Sequence, residues 1–157
     1  SGCVNLLVLD VSHNSLSGNI PSWIFRLGLQ QLIFSENRLS GTMDNAFAAS
    51  MENSRQKVVA LDISHNNLSG EIPPAIGVFS SLQVLNLSKN SLIGGIPSNI
   101  GELKLLDILD LSENQLNGSI PLEIGRATSL NKLILEKNFL AGNIPTSIGN
   151  CSMLTSL

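Results

Sequence analysis

The amino-acid sequence predicts an α/β solenoid, in which successive repeats stack as rungs and each rung contributes one short strand to a common core. Three observations predict this class. A 16-residue motif occurs six times, the copies are spaced close to 24 residues apart, and the leucines of each copy alternate with other residues over a few positions. A strand that short is not stable alone, so each copy must bury its leucines against the neighbouring copies.

The motif has the form LxxLxLxxNxLxGxIP. It reads LLVLDVSHNSLSGNIP at 6–21, VVALDISHNNLSGEIP at 58–73, LQVLNLSKNSLIGGIP at 82–97, LDILDLSENQLNGSIP at 106–121 and LNKLILEKNFLAGNIP at 130–145, with a degenerate copy, LQQLIFSENRLSGTMD, at 29–44. Successive motif asparagines are 23, 29, 24, 24 and 24 residues apart, so the second unit carries an insertion of five residues. A seventh copy begins at Leu154 and Leu157, and we expect residues 1–157 to form one domain of about six repeats plus the start of a seventh.

Each position of the motif predicts a local structure. The alternating leucines predict a strand whose leucines point inward. The asparagine predicts a turn in which the side-chain amide pairs with backbone groups and can bond from rung to rung. The glycine and the Ile-Pro pair predict a tight turn and an extended segment, after which there is room for only a turn or two of helix. The asparagines of this structural ladder are Asn14, Asn37, Asn66, Asn90, Asn114 and Asn138.

The composition excludes several classes of function. The chain has nine basic and twelve acidic residues, a net charge of -3 and no cluster of Lys or Arg, which excludes nucleic acid as a partner. No apolar run approaches the roughly 18 to 20 residues that span a bilayer, and the N-terminal residues lack the features of a signal peptide. We therefore expect no direct membrane contact by this segment.

The motif, above all LSGxIP after the asparagine, closely resembles the plant-type leucine-rich repeat of receptor-like kinase and receptor-like protein ectodomains. The resemblance covers essentially the whole chain, and five of the six copies match nearly every motif position. More narrowly, the stretch LDISHNNLSGEIPPAIGVFSSLQVLNLSKNSL resembles the group that contains the inflorescence and root apices receptor kinase.

This resemblance implies a right-handed superhelix with a parallel concave sheet, short extra strands at LxGxIP, and turns or short helices on the convex side. It implies a recognition module on the extracellular face of the plasma membrane, in a single-pass signalling receptor whose kinase domain is a separate intracellular unit. Such modules are glycoproteins that bind peptide ligands or co-receptor ectodomains, with no cofactor and no catalysis of their own. Because the chain begins and ends within a repeat and lacks capping segments, we expect a fragment of such an ectodomain.

The two cysteines occupy the same position of the repeat, six rungs apart. At about 4.8 Å per rung, the sulfurs of Cys3 and Cys151 are expected about 29 Å apart, whereas a disulfide needs Cα atoms within about 7 Å. We therefore expect no bond between them, with each thiol a small buried side chain beneath the convex turn.

The residues between the inward leucines are expected to face outward from the sheet, in columns that run across the rungs. These columns are Val8, Gln31, Ala60, Val84, Ile108, Lys132; Asp10, Ile33, Asp62, Asn86, Asp110, Ile134; Ser12, Ser35, Ser64, Ser88, Ser112, Glu136; and His13, Glu36, His65, Lys89, Glu113, Lys137. Asp and Ser are the usual residues at these positions of the repeat, and we expect them to form hydrogen bonds with neighbouring groups. Ligand contact is better sought at irregular or apolar positions, and the ligand-facing candidates are Ile33, Val84, Ile108, Lys132, Ile134, Glu136 and Lys137.

Two sets of outward residues resemble reactive groups in type but not in spacing. His13, Glu36 and His65 share one column, but the histidine backbones are expected about 10 Å apart, whereas the ligands of one zinc ion lie within about 3.5 Å of each other. Asp62 and Asp110 lie on an open, solvated sheet, which offers no environment for acid–base catalysis. We therefore expect no metal site and no catalytic residue.

The second unit departs from the motif. Met43 and Asp44 replace Ile-Pro, and the additional residues fall within DNAFAASMENSRQK at 44–57. We expect a surface loop there, with a partner-binding excursion as the alternative. Trp23 is expected to pack on the convex side, with an exposed binding aromatic as the alternative.

Four Asn-x-Ser sequons indicate that the chain carries N-glycans. They begin at Asn67, Asn86, Asn117 and Asn150. Asn67 and Asn117 are expected in accessible turns after the strand. Asn86 is expected in the middle of the concave sheet, where a glycan would obstruct ligand contact.

Three functions fit the sequence. The primary hypothesis is a non-enzymatic module that presents a preformed curved surface to a peptide or a co-receptor ectodomain. A second is an inhibitor of secreted cell-wall hydrolases that resembles the polygalacturonase-inhibiting proteins. A third is a structural spacer whose rungs set the curvature of a receptor.

Overall fold

The structure, a computed structural model, describes residues 5–47 and 57–157. In chain order its strands and α-helix are β1 (Val8–Asp10), β2 (Ser17–Asn19), β3 (Gln31–Ile33), β4 (Arg38–Thr42), α1 (Met43–Phe47), β5 (Ala60–Asp62), β6 (Asn67–Glu71), β7 (Val84–Asn86), β8 (Ser91–Ile93), β9 (Ile108–Asp110), β10 (Asn117–Gly118), β11 (Lys132–Ile134) and β12 (Phe139–Leu140). Within these ranges, 3-10 helices lie at Ser22–Arg26, Pro74–Val78, Ser98–Glu102, Leu122–Arg126 and Thr146–Asn150.

The concave sheet consists of three-residue strands, one from each rung, in the order β1-β3-β5-β7-β9-β11. Every pair of neighbours is parallel, and the central leucines are aligned from Leu9 through Leu32 to Leu133. Leu85 and Leu109, at the centres of β7 and β9, have no exposed surface. The start of a seventh copy continues the sheet, because Ser156 forms a parallel bridge with Lys132. The predicted solenoid of stacked rungs is therefore confirmed.

Short lateral strands follow the ladder asparagines, as the LxGxIP segment predicts. β2, β4, β6 and β8 form one parallel sheet, and β10 pairs in parallel with β12. The motif glycines lie within or just after these strands and adopt the left-handed region, for example Gly70 at φ +78 within β6 and Gly118 at φ +72 at the end of β10, where a side chain would be strained.

The convex side carries the 3-10 helices. Each begins after an extended proline, for example Pro97 at φ -69 and ψ 141, which supplies the extended segment predicted for the Ile-Pro pair. Three of these helices contain a glycine that packs against the next rung, and these glycines are Gly77, Gly101 and Gly125. A Cβ at Gly101 would overlap the carbonyl oxygen of Glu123, and one at Gly125 would overlap that of Ser147.

The second unit is built differently from its prediction. Residues 43–47 form α1 rather than a surface loop, and Met43 and Phe47 are each 1% exposed. The ring of Phe47 lies edge-on to Phe25 at 5.2 Å and to Phe79 at 5.1 Å, so an aromatic cluster joins three units. The prediction of a loop is therefore wrong for residues 44–47, because Phe47 supplies core volume. Residues 48–56 lie outside the described residues.

Trp23 is 56% exposed, so its predicted packing on the convex side is wrong. Its 3-10 helix, Ser22–Arg26, turns the neighbouring Ile24 and Phe25 into the core instead, and both are nearly inaccessible. A helix of one turn can present only part of its circumference to the core. The indole therefore stays on the outer side.

Cys151 is a free, buried thiol beneath the convex side, as predicted. Its Sγ lies 3.5 Å from the carbonyl oxygens of Ile124 and Ala127 in the preceding rung. Burial raises the pKa of the Cys151 thiol, which disfavours the reactive thiolate. Cys3, the other cysteine of the prediction, lies outside the described residues.

Candidate functional site

The candidate surface is held in place by the asparagine ladder, in which each side chain after the first bonds to the backbone of its own rung and of the preceding rung. Asn114 is representative. Its Nδ2 donates to the carbonyl oxygens of Leu111 at 3.1 Å and Ser112 at 3.2 Å within its rung, and to that of Leu87 at 3.0 Å in the preceding rung. Its Oδ1 accepts the backbone N–H of Leu92 at 3.0 Å. The amide therefore pairs backbone groups that the turn leaves without partners.

The same pattern recurs at Asn37, Asn66, Asn90 and Asn138. Asn14 is exposed, and among the described residues its side chain donates hydrogen bonds only to the carbonyl oxygens of Val11 and Ser12 in its own rung. The predicted rung-to-rung bonds are thus made from asparagine to backbone.

The middle of the Ser column does not lie on the open surface, which corrects the prediction of an outward column there. Ser64, Ser88 and Ser112 are all buried. Ser112 donates its hydroxyl to Asp110 Oδ1 at 2.7 Å, and its N–H to the same oxygen at 3.0 Å. The pair closes a turn at the end of the strand and fixes the carboxylate. The Asp and Ser residues therefore satisfy each other, which was the expected default role of these columns.

The same turn operates at the first rung, where Asp10 is exposed. Ser12 donates its hydroxyl to Asp10 Oδ1 at 2.6 Å and its N–H at 2.9 Å. These bonds, the hydroxyl first, lower the pKa of the Asp10 carboxyl, because they favour its charged form.

The fourth outward column, His13 to Lys137, lies in a turn beyond the strands rather than on the sheet. All six of its residues adopt left-handed backbone conformations, with φ between 51 and 55. Non-glycine residues seldom occupy this region, so the turn is held by the asparagine that follows each of them. The column is therefore a rim along one edge of the concave sheet.

The two acidic side chains of this rim, Glu36 and Glu113, lie beside basic ones. His13 Nδ1 lies 2.8 Å from Glu36 Oε2, and Glu113 Oε1 lies 3.3 Å from Lys137 Nζ and 3.8 Å from Lys89 Nζ. These pairs are exposed, so each contributes little to stability. Within residues 5–47 and 57–157, no group of three or more His, Cys, Asp or Glu side chains could hold a metal ion.

The structure brings most of the predicted ligand-facing residues together and separates one of them. Val84, Ile108 and Lys132 begin β7, β9 and β11 and are aligned as neighbours in one column. Ile134 ends β11 beside Asp110, and Glu136 and Lys137 follow as exposed residues of the rim turn. We call Val84, Ile108, Lys132, Ile134, Glu136 and Lys137 the C-terminal concave patch.

Ile33 lies apart from this patch. It ends β3, four rungs from β11 in the sheet order, so about 19 Å separates Ile33 from Ile134 along the sheet. Ile33 is half-buried between Asp10 and Asp62 in its column. It is therefore an isolated apolar residue among acidic neighbours.

The four sequons occupy three kinds of surface. Asn67 and Asn117 are exposed, but in the lateral strands β6 and β10 rather than in open turns. Asn86 ends β7 on the concave sheet, is half-buried, and accepts the Ser88 hydroxyl on its Oδ1 at 2.8 Å. Asn150 ends the last described 3-10 helix and is exposed.

One exposed aromatic residue was missed by the sequence reasoning. Phe139 begins β12 and is 69% exposed on the lateral face. The motif position immediately after each ladder asparagine holds polar residues in the other copies, and these are Ser15, Arg38, Asn67, Ser91 and Gln115. Phe139 departs from that polar column, so the signal was present in the sequence.

The chain belongs to the leucine-rich repeat family. The family described as Leucine Rich Repeat matches residues 5–27, 57–79, 81–103 and 105–127, which together make up more than half of the chain. Among curated proteins, the chain is similar to receptor-like protein 18 of Arabidopsis thaliana, with 35% identity over 74 residues that cover 47% of this chain and 8% of that protein.

Among solved structures, the chain resembles the ectodomain of the receptor kinase GASSHO1/SCHENGEN3 from Arabidopsis thaliana, in complex with CASPARIAN STRIP INTEGRITY FACTOR 2. The TM-score is 0.84 at 37% identity, over 98% of this chain and 18% of that one. It also resembles the Arabidopsis receptor kinase HAESA in complex with the peptide hormone IDA and the co-receptor SERK1. There the TM-score is 0.87 at 35% identity, over 98% of this chain and 25% of that one.

The chain therefore spans a small part of each of these plant receptor proteins. Among the described residues, no helix combines the length and apolar character needed to cross a membrane.

Proposed function

We propose that this chain is a segment of the extracellular part of a plant receptor-like protein or receptor-like kinase, and that its C-terminal concave patch contacts a peptide ligand or a co-receptor ectodomain. The observation that carries the proposal is the clustering of apolar and basic side chains on three adjacent strands of a preformed sheet, at Val84, Ile108, Lys132 and Ile134. The similar structure of HAESA, in complex with the peptide hormone IDA and the co-receptor SERK1, supports it.

The apolar part of the patch favours binding because it is ordered before a partner arrives. Val84 and Ile108 are half-buried neighbours whose backbones are fixed by hydrogen bonds from both flanking rungs. Covering such side chains removes apolar surface from water at about 25 cal/mol per Å². Little backbone entropy is lost on binding, since the strands do not reorganise.

The charged part of the patch favours acidic groups on the partner. Lys132 is exposed beside Ile108, and Lys137 lies on the rim with the half-buried Glu113 as its ion-pair partner. Asp110, the nearest strand carboxylate, already accepts two hydrogen bonds from Ser112. Because Ser112 already occupies Asp110, a carboxylate on the partner would not have to compete with Asp110 for Lys132. Glu136 lies at the edge of this basic area.

The proposal includes the wider setting of such a segment. Residues 1–157 would form one non-catalytic domain without a cofactor, on the extracellular face of the plasma membrane, with N-glycans at accessible sequons. The finer placement beside the inflorescence and root apices receptor kinase group is part of the same proposal. An inhibitor of cell-wall hydrolases would require a secreted partner enzyme, and nothing among the described residues favours that partner over a peptide.

The experiment is a selection of a phage-displayed random peptide library on the immobilised 157-residue chain, followed by affinity measurements on variants. The variant carries Val84→Thr, Ile108→Thr and Ile134→Thr, because threonine keeps the branched shape and strand preference while removing apolar surface. Selected peptides should bind it at least tenfold more weakly than the original chain, equivalent to about 1.4 kcal/mol.

The matched control is Val8→Thr, which makes the same change in the same column on β1, far from the patch. It should leave peptide affinity unchanged. Equal affinity for the triple variant, or failure to select any peptide, would contradict recognition by the patch and favour a spacer role for these rungs. Unchanged melting of the variants checks that folding is preserved.

A further inference from the structure

Phe139 and the sequon asparagine Asn117 are neighbours on the lateral face. β10 and β12 are parallel, and Asn117 is aligned with Phe139. The alignment is fixed on both sides of Asn117, because the Phe139 N–H donates to the Leu116 carbonyl and the Ala141 N–H donates to the Gly118 carbonyl, each at 2.7 Å. Aligned residues of neighbouring parallel strands lie about 4.8 Å apart with their side chains on the same face.

Both side chains of this pair face solvent. Asn117 is exposed, and Phe139 is 69% exposed. Single exposed apolar side chains are common on protein surfaces, so it is the position of Phe139 beside a sequon, rather than its exposure, that distinguishes it. Inward packing does not explain Phe139, because Leu140 is the residue of β12 that turns towards the core.

The chemistry of the sequon supplies a covering group. Glycosylation joins Nδ2 of Asn117 to C1 of N-acetylglucosamine from a lipid-pyrophosphate-linked oligosaccharide, and the amide loses one proton as the lipid pyrophosphate departs with the bonding pair. One face of that sugar ring presents several C–H groups. An aromatic face is electron-rich and attracts such weakly positive hydrogens, so a phenyl ring at strand spacing is suited to pack against the sugar.

We propose that the first N-acetylglucosamine of a glycan at Asn117 packs on the ring of Phe139, so that this lateral position is a glycosylation site at which the protein holds the sugar. The inference rests on the proposed extracellular function, because the modification requires passage through the secretory pathway. It also gives the departure of Phe139 from its polar column a role. Asn67 is the natural comparison, since its aligned neighbour on β4 is Ser40 rather than an aromatic residue.

The test begins with glycopeptide mass spectrometry of the chain secreted from plant or insect cells. Asn117 should be occupied, and an unoccupied Asn117 overturns the proposal while leaving recognition by the concave patch untouched. With occupancy established, the melting temperatures of the parent chain, Asn117→Gln, Phe139→Ala and the double variant form a cycle. Phe139→Ala should lower the melting temperature by about 2 °C when the glycan is present and by less when it is absent.

The control cycle replaces Asn117→Gln by Asn67→Gln, and there the effects of the two substitutions should add. Because Phe139 is exposed, its truncation should not prevent folding. A second readout is the proton NMR spectrum of the glycosylated chain, in which the ring should shift the resonances of the first sugar and Phe139→Ala should abolish the shift. Additive melting effects at Asn117, or sugar resonances that are unchanged by Phe139→Ala, would overturn the proposal.

Discussion

The side chain of each ladder asparagine takes the place of backbone partners that the turn after a concave strand leaves unpaired. A carbonyl or N–H buried without a partner costs about 1 to 3 kcal/mol, whereas a satisfied hydrogen bond contributes about 1 kcal/mol. Asn114 is 6% exposed and forms hydrogen bonds with backbone groups in two rungs, so its loss would leave several buried groups without partners at once. The frequent asparagine of this sequence is therefore a structural requirement of the turn.

Replacing Asn114→Ala should lower the free energy of unfolding by about 1 to 3 kcal/mol, because the Leu87 carbonyl and the Leu92 N–H lose buried partners. Asn14→Ala is the matched control, since Asn14 is exposed and its bonds stay within its own rung. Urea denaturation followed by circular dichroism measures both. Equal losses for the two variants would mean that the rung-to-rung bonds contribute nothing.

The direction of an outward side chain could be predicted from the sequence, but its surroundings only in part. Period-two alternation correctly aligned Val84, Ile108 and Lys132, because strand register converts sequence spacing directly into position. The same alternation failed at Ser112, which is buried, because the strand ends at Asp110 and the chain then turns. Three-residue strands leave most of each repeat outside the rule of alternation.

At the scale of elements, the convex 3-10 helices stack closely because their glycines lack a side chain. Gly101 and Gly125 contact the backbone of the following rung so closely that a Cβ at either position would overlap a carbonyl oxygen. Their φ angles are ordinary, so it is the close approach that excludes a side chain here. The separation of the convex helices is thus set by the Ile-Gly pair of the repeat.

Gly101→Ala should lower the free energy of unfolding by about 1 to 3 kcal/mol, since the backbone near Glu123 cannot yield as a flexible side chain would. Gly149→Ala makes the same change in the last described helix, where a Cβ would meet nothing within 4 Å. It should be neutral or slightly stabilising. Thermal melting of the two variants compares them, and a neutral Gly101→Ala would show that the helices can separate without cost.

The helix α1 marks where element prediction failed, and its cause is a change of packing partner. The departure from the motif at Met43 was visible in the sequence, but the insertion length gave no information about which side chains return to the core. Phe47 does so because Phe25 and Phe79 offer it edge-on contacts from the neighbouring units. Long-range contacts of this kind leave no local period in the sequence.

At the scale of the whole molecule, each rung is stabilised chiefly by the rungs on either side. β7 pairs with β5 and with β9, whereas among the described residues β1 pairs with β3 alone. Stability in such a stack is approximately a sum of rung and interface contributions. The chain should therefore open by separation of its outer rungs before its central ones.

Hydrogen exchange measured by mass spectrometry tests this order of opening. Backbone amides of β5, β7 and β9 should exchange about tenfold or more slowly than those of β1 in the 157-residue chain, because opening a central rung breaks two interfaces. Uniform protection across all rungs would show instead that the stack unfolds as one cooperative unit. Peptides that span 48–56 are left out of the comparison.

The parallel register of the concave sheet also gives its rungs a regular spacing that the repeat of an elongated chain can match. Alternate rungs, such as those of Val84 and Lys132, are about 9.6 Å apart, twice the spacing of adjacent parallel strands. A polyproline II helix has three residues per turn and a rise of 3.1 Å per residue, so it repeats about every 9.3 Å. A chain in that conformation running across the rungs would present every third residue to every second rung, in step over the whole width of the C-terminal concave patch.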